Sequence, residues 1–188
     1  MQQYIRLSLI ALGASVLASC AGAPTTRPAT VTGTYSPRML EYVAGKGGML
    51  TEVVGNPFSA PKSEVDAAVL STMETSHFGV RFPFFTKAPK GYTSPYRVVV
   101  ALDPAPGTSA YTLCAGNVRT QPRGPSDPNR VVAAFCARER VVTANQGLVY
   151  GPTGPRDPVF VNLIAQLSQS LFPPNDQERN SLEDKLPM

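Results

Sequence analysis

The chain lacks most of the residues on which familiar enzyme chemistries depend. Its 188 residues include no tryptophan, three cysteines and a single histidine, His77. One histidine excludes a zinc site built from several histidines, and no Cys-x-x-Cys motif is present for disulfide exchange. No Gly-x-Ser-x-Gly motif marks a hydrolase nucleophile. Any Ser-His-Asp or Cys-His mechanism would have to use His77, which precedes Phe78-Gly79 at a helix end, where an interaction with the helix dipole is expected instead.

Clusters of like charge and long apolar runs are also missing. The formal net charge is +4, and the 17 lysines and arginines are spread along the chain. We therefore expect solvated surface charge, no nucleic-acid partner and no cofactor. The most sustained apolar segment near the start, residues 7–17, is too short for a membrane span, which needs ~20 apolar residues.

The first 20 residues have the pattern of an export signal. Arg6 supplies positive charge, and the apolar segment 7–17 has the usual length of ~7–15 residues for a signal-peptide core. Two cleavage positions compete after it. The triplet Ala21-Gly22-Ala23 suits an ordinary secretory peptidase, whereas Leu17-Ala18-Ser19-Cys20 ends at a cysteine.

The run that ends at Cys20 resembles the lipobox of bacterial lipoproteins. The resemblance implies that residues 1–19 are a signal peptide and that Cys20 is lipidated, which anchors the protein to a membrane. Acylation also explains the odd cysteine count, because it leaves one even pair. Ala21, rather than aspartate, follows the cysteine, and in the sorting rule of this class that favours the periplasmic face of the outer membrane.

The remaining cysteines, Cys114 and Cys136, are expected to form a structural disulfide, because an exported protein meets an oxidising compartment. Closing a loop of this length contributes ~3 kcal/mol in the chain-entropy model. A redox or metal role is the weaker alternative, since no histidine lies near either cysteine in the sequence.

The rest of the chain predicts a single α+β domain. Its small antiparallel sheet is expected to pack against two or three helices and to carry one disulfide. Residues 20–35, rich in threonine and proline, predict a flexible tether, residues 36–174 the domain and residues 175–188 a disordered polar tail. The predicted strands are 49–54, 97–102, 131–137 and 141–149, and the predicted helices begin near Ser36 and span 63–73 and 158–171.

An aromatic, proline-bearing stretch, residues 78–96, is the best candidate for recognition of a protein or glycan partner in the envelope. Its aromatic side chains could instead cover one end of the core, and we favour this second interpretation, chiefly for Phe82, Phe84 and Tyr96. The candidate partner surface comprises Phe82, Phe84, Phe85, Tyr92 and Tyr96.

Carboxylates offer no clear catalytic pair. Their spacing suits helix capping and turns, and this holds for Glu64, Asp66, Glu74, Asp103 and Asp157. The leading prediction is therefore a lipid-anchored envelope protein with a binding or accessory domain and no catalysis. A periplasmic hydrolase or transferase acting on cell-wall or glycan substrates is one alternative, and it would need two carboxylates ~5–10 Å apart. A carrier of apolar cargo, with a cavity between sheet and helix, is another.

The body of the chain is similar in places to small envelope lipoproteins of Gram-negative bacteria. The similar segments are Gly55-Asn56-Pro57-Phe58, Tyr96-Arg97-Val98-Val99-Val100, Ala134-Phe135-Cys136 and Leu171-Phe172-Pro173. This resemblance implies an envelope location and no particular activity.

Overall fold

The structure, a computed structural model, describes residues 23–124 and 127–174. Cys20, the predicted signal peptide and the predicted polar tail 175–188 lie outside these residues. The helices of the described part are α1 (Arg38–Gly45), α2 (Lys62–Ser76), α3 (Ala110–Cys114) and α4 (Pro158–Leu171). The strands are β1 (Thr25–Thr26), β2 (Thr30–Val31), β3 (Met49–Val54), β4 (Phe84–Phe85), β5 (Tyr96–Leu102), β6 (Asn129–Ala137) and β7 (Arg140–Val149).

All seven strands form one mixed sheet, in the order β1-β7-β6-β5-β3-β4, with β2 also paired to β7. The α+β class and the disulfide are confirmed, but the prediction of a small antiparallel sheet is wrong in size and in strand direction. Strand β3 runs parallel to both β4 and β5, whereas β5, β6 and β7 are antiparallel. The parallel half arises because α2 carries the chain back across the sheet between β3 and the strands that follow it.

The sheet separates two hydrophobic cores, because alternate residues of its central strands point to opposite faces. The larger core lies beneath α1, α2 and α4 and includes Val98, Val100 and Phe135. The smaller core lies beneath α3 and includes Val99, Leu113 and both disulfide cysteines. The helix predicted at 158–171 is α4, and its apolar stripe is buried in the larger core and consists of Phe160, Leu163, Ile164, Leu167 and Leu171.

Helix starts differ in part from their sequence signals. Asp157 caps α4 as predicted, because its carboxylate accepts the Val159 N–H at 3.0 Å. Helices α1 and α2 instead follow Pro37 and Pro61 without a side-chain cap. At the start of α2, Lys62 pairs with Asp66 and also donates to the Val53 carbonyl oxygen, so Asp66 serves an ion pair rather than a capping box.

Residues 23–35 belong to the segment predicted as a flexible tether, and in the structure they lie along the sheet. Strands β1 and β2 pair along β7, and Tyr35 is buried with its hydroxyl donating to the Pro173 carbonyl oxygen at 2.8 Å. Three threonines and a valine, residues with high β propensity, form these two strands and cover the outer edge of β7. No helix in residues 23–124 and 127–174 is long and apolar enough to cross a membrane.

Candidate functional site

Two depressions lie at opposite ends of the sheet. One opens at the carboxyl ends of the parallel strands β3 and β5, and we call it the Asp103 cleft. The other opens at the amino ends of the same strands, beside the β6–β7 turn, and we call it the tyrosine groove. Loops at the ends of a rigid sheet are common positions for binding residues, so each depression is a candidate site.

The Asp103 cleft has a volume of about 380 Å³. Asp103 follows β5 with a positive φ of 46° and is 8% exposed. Its carboxylate accepts the Arg130 N–H at 2.8 Å and the Asn129 side-chain amide at 3.2 Å, and lies 3.5 Å from the Arg123 guanidinium. The cleft is lined by Asn56, Pro57, Leu102, Asp103, Thr120, Gln121, Pro122 and Arg123.

Those contacts give Asp103 a structural role. Burial raises the pKa of the Asp103 carboxyl, while the Arg130 N–H and the Arg123 charge oppose that rise. One carboxylate oxygen accepts the Arg130 N–H and the other accepts the Asn129 amide, so Asp103 joins the end of β5 to the start of β6. Asp103 is the single carboxylate that lines this cleft, so the cleft offers it no carboxylate partner for acid–base chemistry.

The tyrosine groove is larger and more open, with a volume of about 840 Å³. Six parts of the chain line it, namely α1, the start of β3, the loop before β5, the start of β5, the end of α3 and the β6–β7 turn. Its lining residues are Tyr42, Leu50, Ala88, Tyr92, Thr93, Ser94, Pro95, Tyr96, Arg97, Cys114, Ala115, Arg138 and Glu139.

Contacts among the aromatic rings hold the groove in shape. The Tyr42 and Tyr96 rings meet edge to face with centroids 5.7 Å apart. Tyr92 packs edge to face against Phe85 at 5.0 Å, and its hydroxyl donates to the Gly48 carbonyl oxygen at 2.9 Å. Because each tyrosine is held by a neighbour, the groove presents aromatic surface at little cost in side-chain entropy on binding.

Positive charge accompanies the rings. Arg97 donates to the carbonyl oxygens of Arg138 and Cys114, at 2.7 Å in the first case, and forms no ion pair with an acid of the described residues. The Lys46 ammonium lies 5.4 Å from the centre of the Tyr42 ring. Glu139 is the one carboxylate that lines the groove. The local charge of the groove is therefore positive.

Of the five residues of the candidate partner surface, two are buried in the core, two line the groove and Phe85 does neither. Phe82 and Phe84 are buried in the larger core, as our favoured interpretation expected. Phe85, Tyr92 and Tyr96 are half-buried, and the two tyrosines line the groove.

Two main groove residues lie outside the candidate set. Tyr42 lies on α1, outside the aromatic stretch 78–96, and Arg97 is the first residue of the predicted strand 97–102. A positive residue at the start of an otherwise apolar strand was the available signal for Arg97.

His77 is part of the aromatic core rather than of either depression. It is 1% exposed, stacks on Phe82 at 4.6 Å and meets Phe84 edge to face. Its Nδ1 lies 3.0 Å from the Phe78 carbonyl oxygen, so the neutral ring carries its proton there and donates it. Nε2 is buried without a hydrogen-bond partner, and burial lowers the pKa of His77. The expected helix-dipole role, which favours a charged ring, does not fit this neutral environment.

We predict that His77 makes stability pH-dependent between neutral and mildly acidic conditions. Its pKa in the folded chain is lower than the ordinary 6.5, so the unfolded chain binds the proton more tightly. The free energy of unfolding should be constant above pH 6.5 and fall as the pH drops toward the folded pKa. Urea unfolding at stepped pH values measures this, and His77→Phe should remove the slope, because His77 is the only histidine. An unchanged slope in that variant would contradict the prediction.

The remaining candidate residues of the sequence have structural roles or lie on the surface. Cys114 and Cys136 are bonded, with Cα atoms 5.5 Å apart. Glu64 lies 3.8 Å from the exposed Arg156 guanidinium, away from both depressions. No group of three or more histidine, cysteine or acidic residues within 23–124 and 127–174 could hold a metal ion.

Known proteins similar to this chain are found among solved structures. No protein-family model matches the chain, and no curated protein sequence matches it. The fold is similar to that of the PelC dodecamer from Paraburkholderia phytofirmans. A single-substitution variant of that protein gives a TM-score of 0.44 at 14% identity, covering 81% of this chain and 99% of the other. A second crystal form of PelC gives a TM-score of 0.41 at 15% identity, covering 79% and 96%.

Proposed function

We propose that the protein is a lipid-anchored envelope protein, held on the periplasmic face of the outer membrane, whose domain binds a partner through the tyrosine groove without catalysis. The observation that carries the proposal is the position of the groove. It lies at the end of the sheet opposite to the end where the chain enters from residue 20.

The path of the N-terminal segment indicates which end of the sheet would lie near the membrane. Thr25 pairs with Leu148 near the carboxyl end of β7, which is also the end that holds the Asp103 cleft. Thr25 is the fifth residue after Cys20, so the two can be at most ~18 Å apart even when the segment is fully extended. An acylated Cys20 would therefore hold the cleft end near the membrane and direct the groove into the periplasm.

The disulfide supports export. Cys114 and Cys136 are fully buried and join α3 to β6. Structural disulfides form and persist in oxidising compartments and are rare in the cytosol, so this bond agrees with passage across the inner membrane. An anchor with several acyl chains would then keep the protein bound, whereas a single chain binds only marginally.

Binding is favoured over the hydrolase or transferase alternative because each depression is lined by one carboxylate. Glu139 lines the groove and Asp103 lines the cleft, at opposite ends of the sheet. Binding is also favoured over transport of apolar cargo, because arginine, serine and threonine line the groove together with its tyrosines.

We predict that Cys20→Ala releases the protein from the membrane. Cells producing the native chain should hold it in the outer-membrane fraction, and the intact mass should show an acylated N-terminal Cys20. The variant should move largely to the soluble periplasmic fraction, because it has no acyl chains to bury.

A Cys114→Ser/Cys136→Ser double variant is the matched control. It keeps Cys20 as its only cysteine and should stay with the membrane whatever its stability. Retention of the Cys20→Ala protein in the membrane, or an unmodified sulfur at residue 20 in the native protein, would refute the anchor. Turnover of cell-wall glycans by the purified protein, abolished by Glu139→Gln, would refute a non-catalytic role.

A further inference from the structure

We propose that the ligand of the tyrosine groove is an acidic polysaccharide, with sugar rings against the tyrosines and carboxylates or phosphates at the arginines. The inference rests on the proposed role of the groove as a binding site and specifies its ligand class. The groove, about 840 Å³, is within the usual range of ligand pockets, ~300–1,000 Å³, and its open form suits part of a longer polymer.

Two tyrosine rings in contact with each other provide the main aromatic surface of the groove. Tyr42 is 43% exposed on α1, and Tyr96 contacts its ring from the start of β5. Tyr92 adds a third ring, oriented by its hydrogen bond to Gly48. Tyrosine offers an apolar ring with a polar hydroxyl, which suits the mixed apolar and hydroxyl surface of a sugar.

The charge of the groove selects an anionic polymer. Two cations, Arg97 and Arg138, line the groove with one acid, Glu139. A third cation, Lys46, lies over the ring of the lining residue Tyr42. The Arg97 hydrogen bonds to carbonyl oxygens orient its guanidinium and leave its charge without an acidic partner in the described chain. A guanidinium offers five N–H donors, so donors remain for a carboxylate or phosphate of the ligand.

The polar groups of the groove favour a glycan over an acidic peptide. Thr93 and Ser94 line the groove beside Pro95 and bring hydroxyl groups to it. A peptide bound along the sheet would need a free strand edge at this position. The β5 edges here are occupied, because Arg97 pairs with Leu50 on one side and with Cys136 on the other.

Binding to three defined polymers tests the ligand class. The probes are polygalacturonate, neutral dextran and poly-L-glutamate, measured by isothermal titration against the native protein in detergent. Polygalacturonate should bind, with an affinity that falls as salt is raised, and dextran and poly-L-glutamate should bind at least about tenfold more weakly, because each lacks one of the two components.

Two double variants locate the site. Tyr42→Ala/Arg138→Asn removes one ring and one exposed charge, and asparagine tolerates the positive φ of 56° at residue 138. It should weaken binding of polygalacturonate roughly tenfold, as expected for one aromatic contact and one exposed ion pair. The matched control, Tyr111→Ala/Arg156→Asn, changes a 75% exposed tyrosine and an 81% exposed arginine, neither of which lines the groove, and should change the affinity by less than about twofold.

The results separate this inference from the proposed function. Equal binding of poly-L-glutamate and polygalacturonate would overturn the glycan assignment in favour of an acidic peptide. Equal losses in the two double variants would overturn the location in the groove. Absence of polygalacturonate binding by a protein with an acylated Cys20 would overturn the ligand and leave the envelope anchor intact. An unmodified Cys20 in a protein that binds polygalacturonate would overturn the envelope anchor and leave the ligand assignment intact.

Discussion

Gly55→Ala is expected to lower the free energy of unfolding by about 2–5 kcal/mol, because two separate costs meet at this residue. Gly55 follows β3 with a φ of +90°, a conformation that side-chain-bearing residues rarely adopt. A Cβ atom here would also overlap the Leu102 carbonyl oxygen and lie 2.9 Å from the Thr120 methyl carbon. Urea unfolding followed by circular dichroism measures the loss.

Gly47→Ala is the matched control for this change. Gly47 has the same φ of +90°, but a Cβ atom there would have no other atom within 4 Å. The control therefore carries only the conformational cost, about 1–2 kcal/mol. A loss for Gly55→Ala no larger than that for Gly47→Ala would show that the close approach of β3 and β5 is not a strict requirement of the fold.

Polygalacturonate binding by the folded fraction of Gly55→Ala tests whether the two ends of the sheet are coupled. Gly55 lies at the carboxyl ends of β3 and β5, whereas the tyrosine groove lies at their amino ends. We expect the variant to disturb the Asp103 cleft and to leave polygalacturonate affinity of the folded protein unchanged. A parallel loss of affinity would mean that the two ends of the sheet are coupled.

Local signals in the sequence predicted most elements of the fold. The β-branched run at β5, the hairpin of β6 and β7 and the apolar stripe of α4 each depend on neighbours within a few residues, and each is present in the structure. The parallel pairing of β3 with β5 was missed, because strand direction depends on the route of the chain through α2. Helix α3 was missed because five residues are too few for a periodic pattern.

The candidate site could be predicted only in part, because some of its residues are distant from one another in the sequence. Tyr92 and Tyr96 are close in the sequence, and their aromatic, proline-bearing stretch drew attention to them. Tyr42 and Arg138 reach the same groove from a helix and a hairpin turn that are distant along the chain. The antiparallel pairing of β6 with β5, which the sequence predicted, places Arg138 beside Tyr96. The parallel pairing of β3 with β5, which the sequence did not reveal, places α1 and its Tyr42 at the same end of the sheet.

Removal of the disulfide is expected to have the second large effect, on stability and on binding together. Cys114→Ala/Cys136→Ala should lower the free energy of unfolding by about 3 kcal/mol, the loop-closure contribution for this separation. Helix α3 has five residues and covers the smaller core through the buried Leu113, so it depends on this bond for its position. The Cys114 carbonyl oxygen accepts a hydrogen bond from Arg97, so displacement of α3 should also weaken polygalacturonate binding.

Leu113→Ala is the control that separates packing from the covalent bond. It removes a buried side chain of α3, at a cost of about 2–5 kcal/mol, and retains the bridge that holds Cys114 beside Arg97. We expect this variant to lose stability and to keep its affinity, whereas the double cysteine variant loses both. If the double variant is destabilised by less than about 1 kcal/mol, the bond does not hold α3 in place. If it is destabilised and binds with native affinity, Arg97 keeps its position without the Cys114 carbonyl, and the groove is supported by β5 alone.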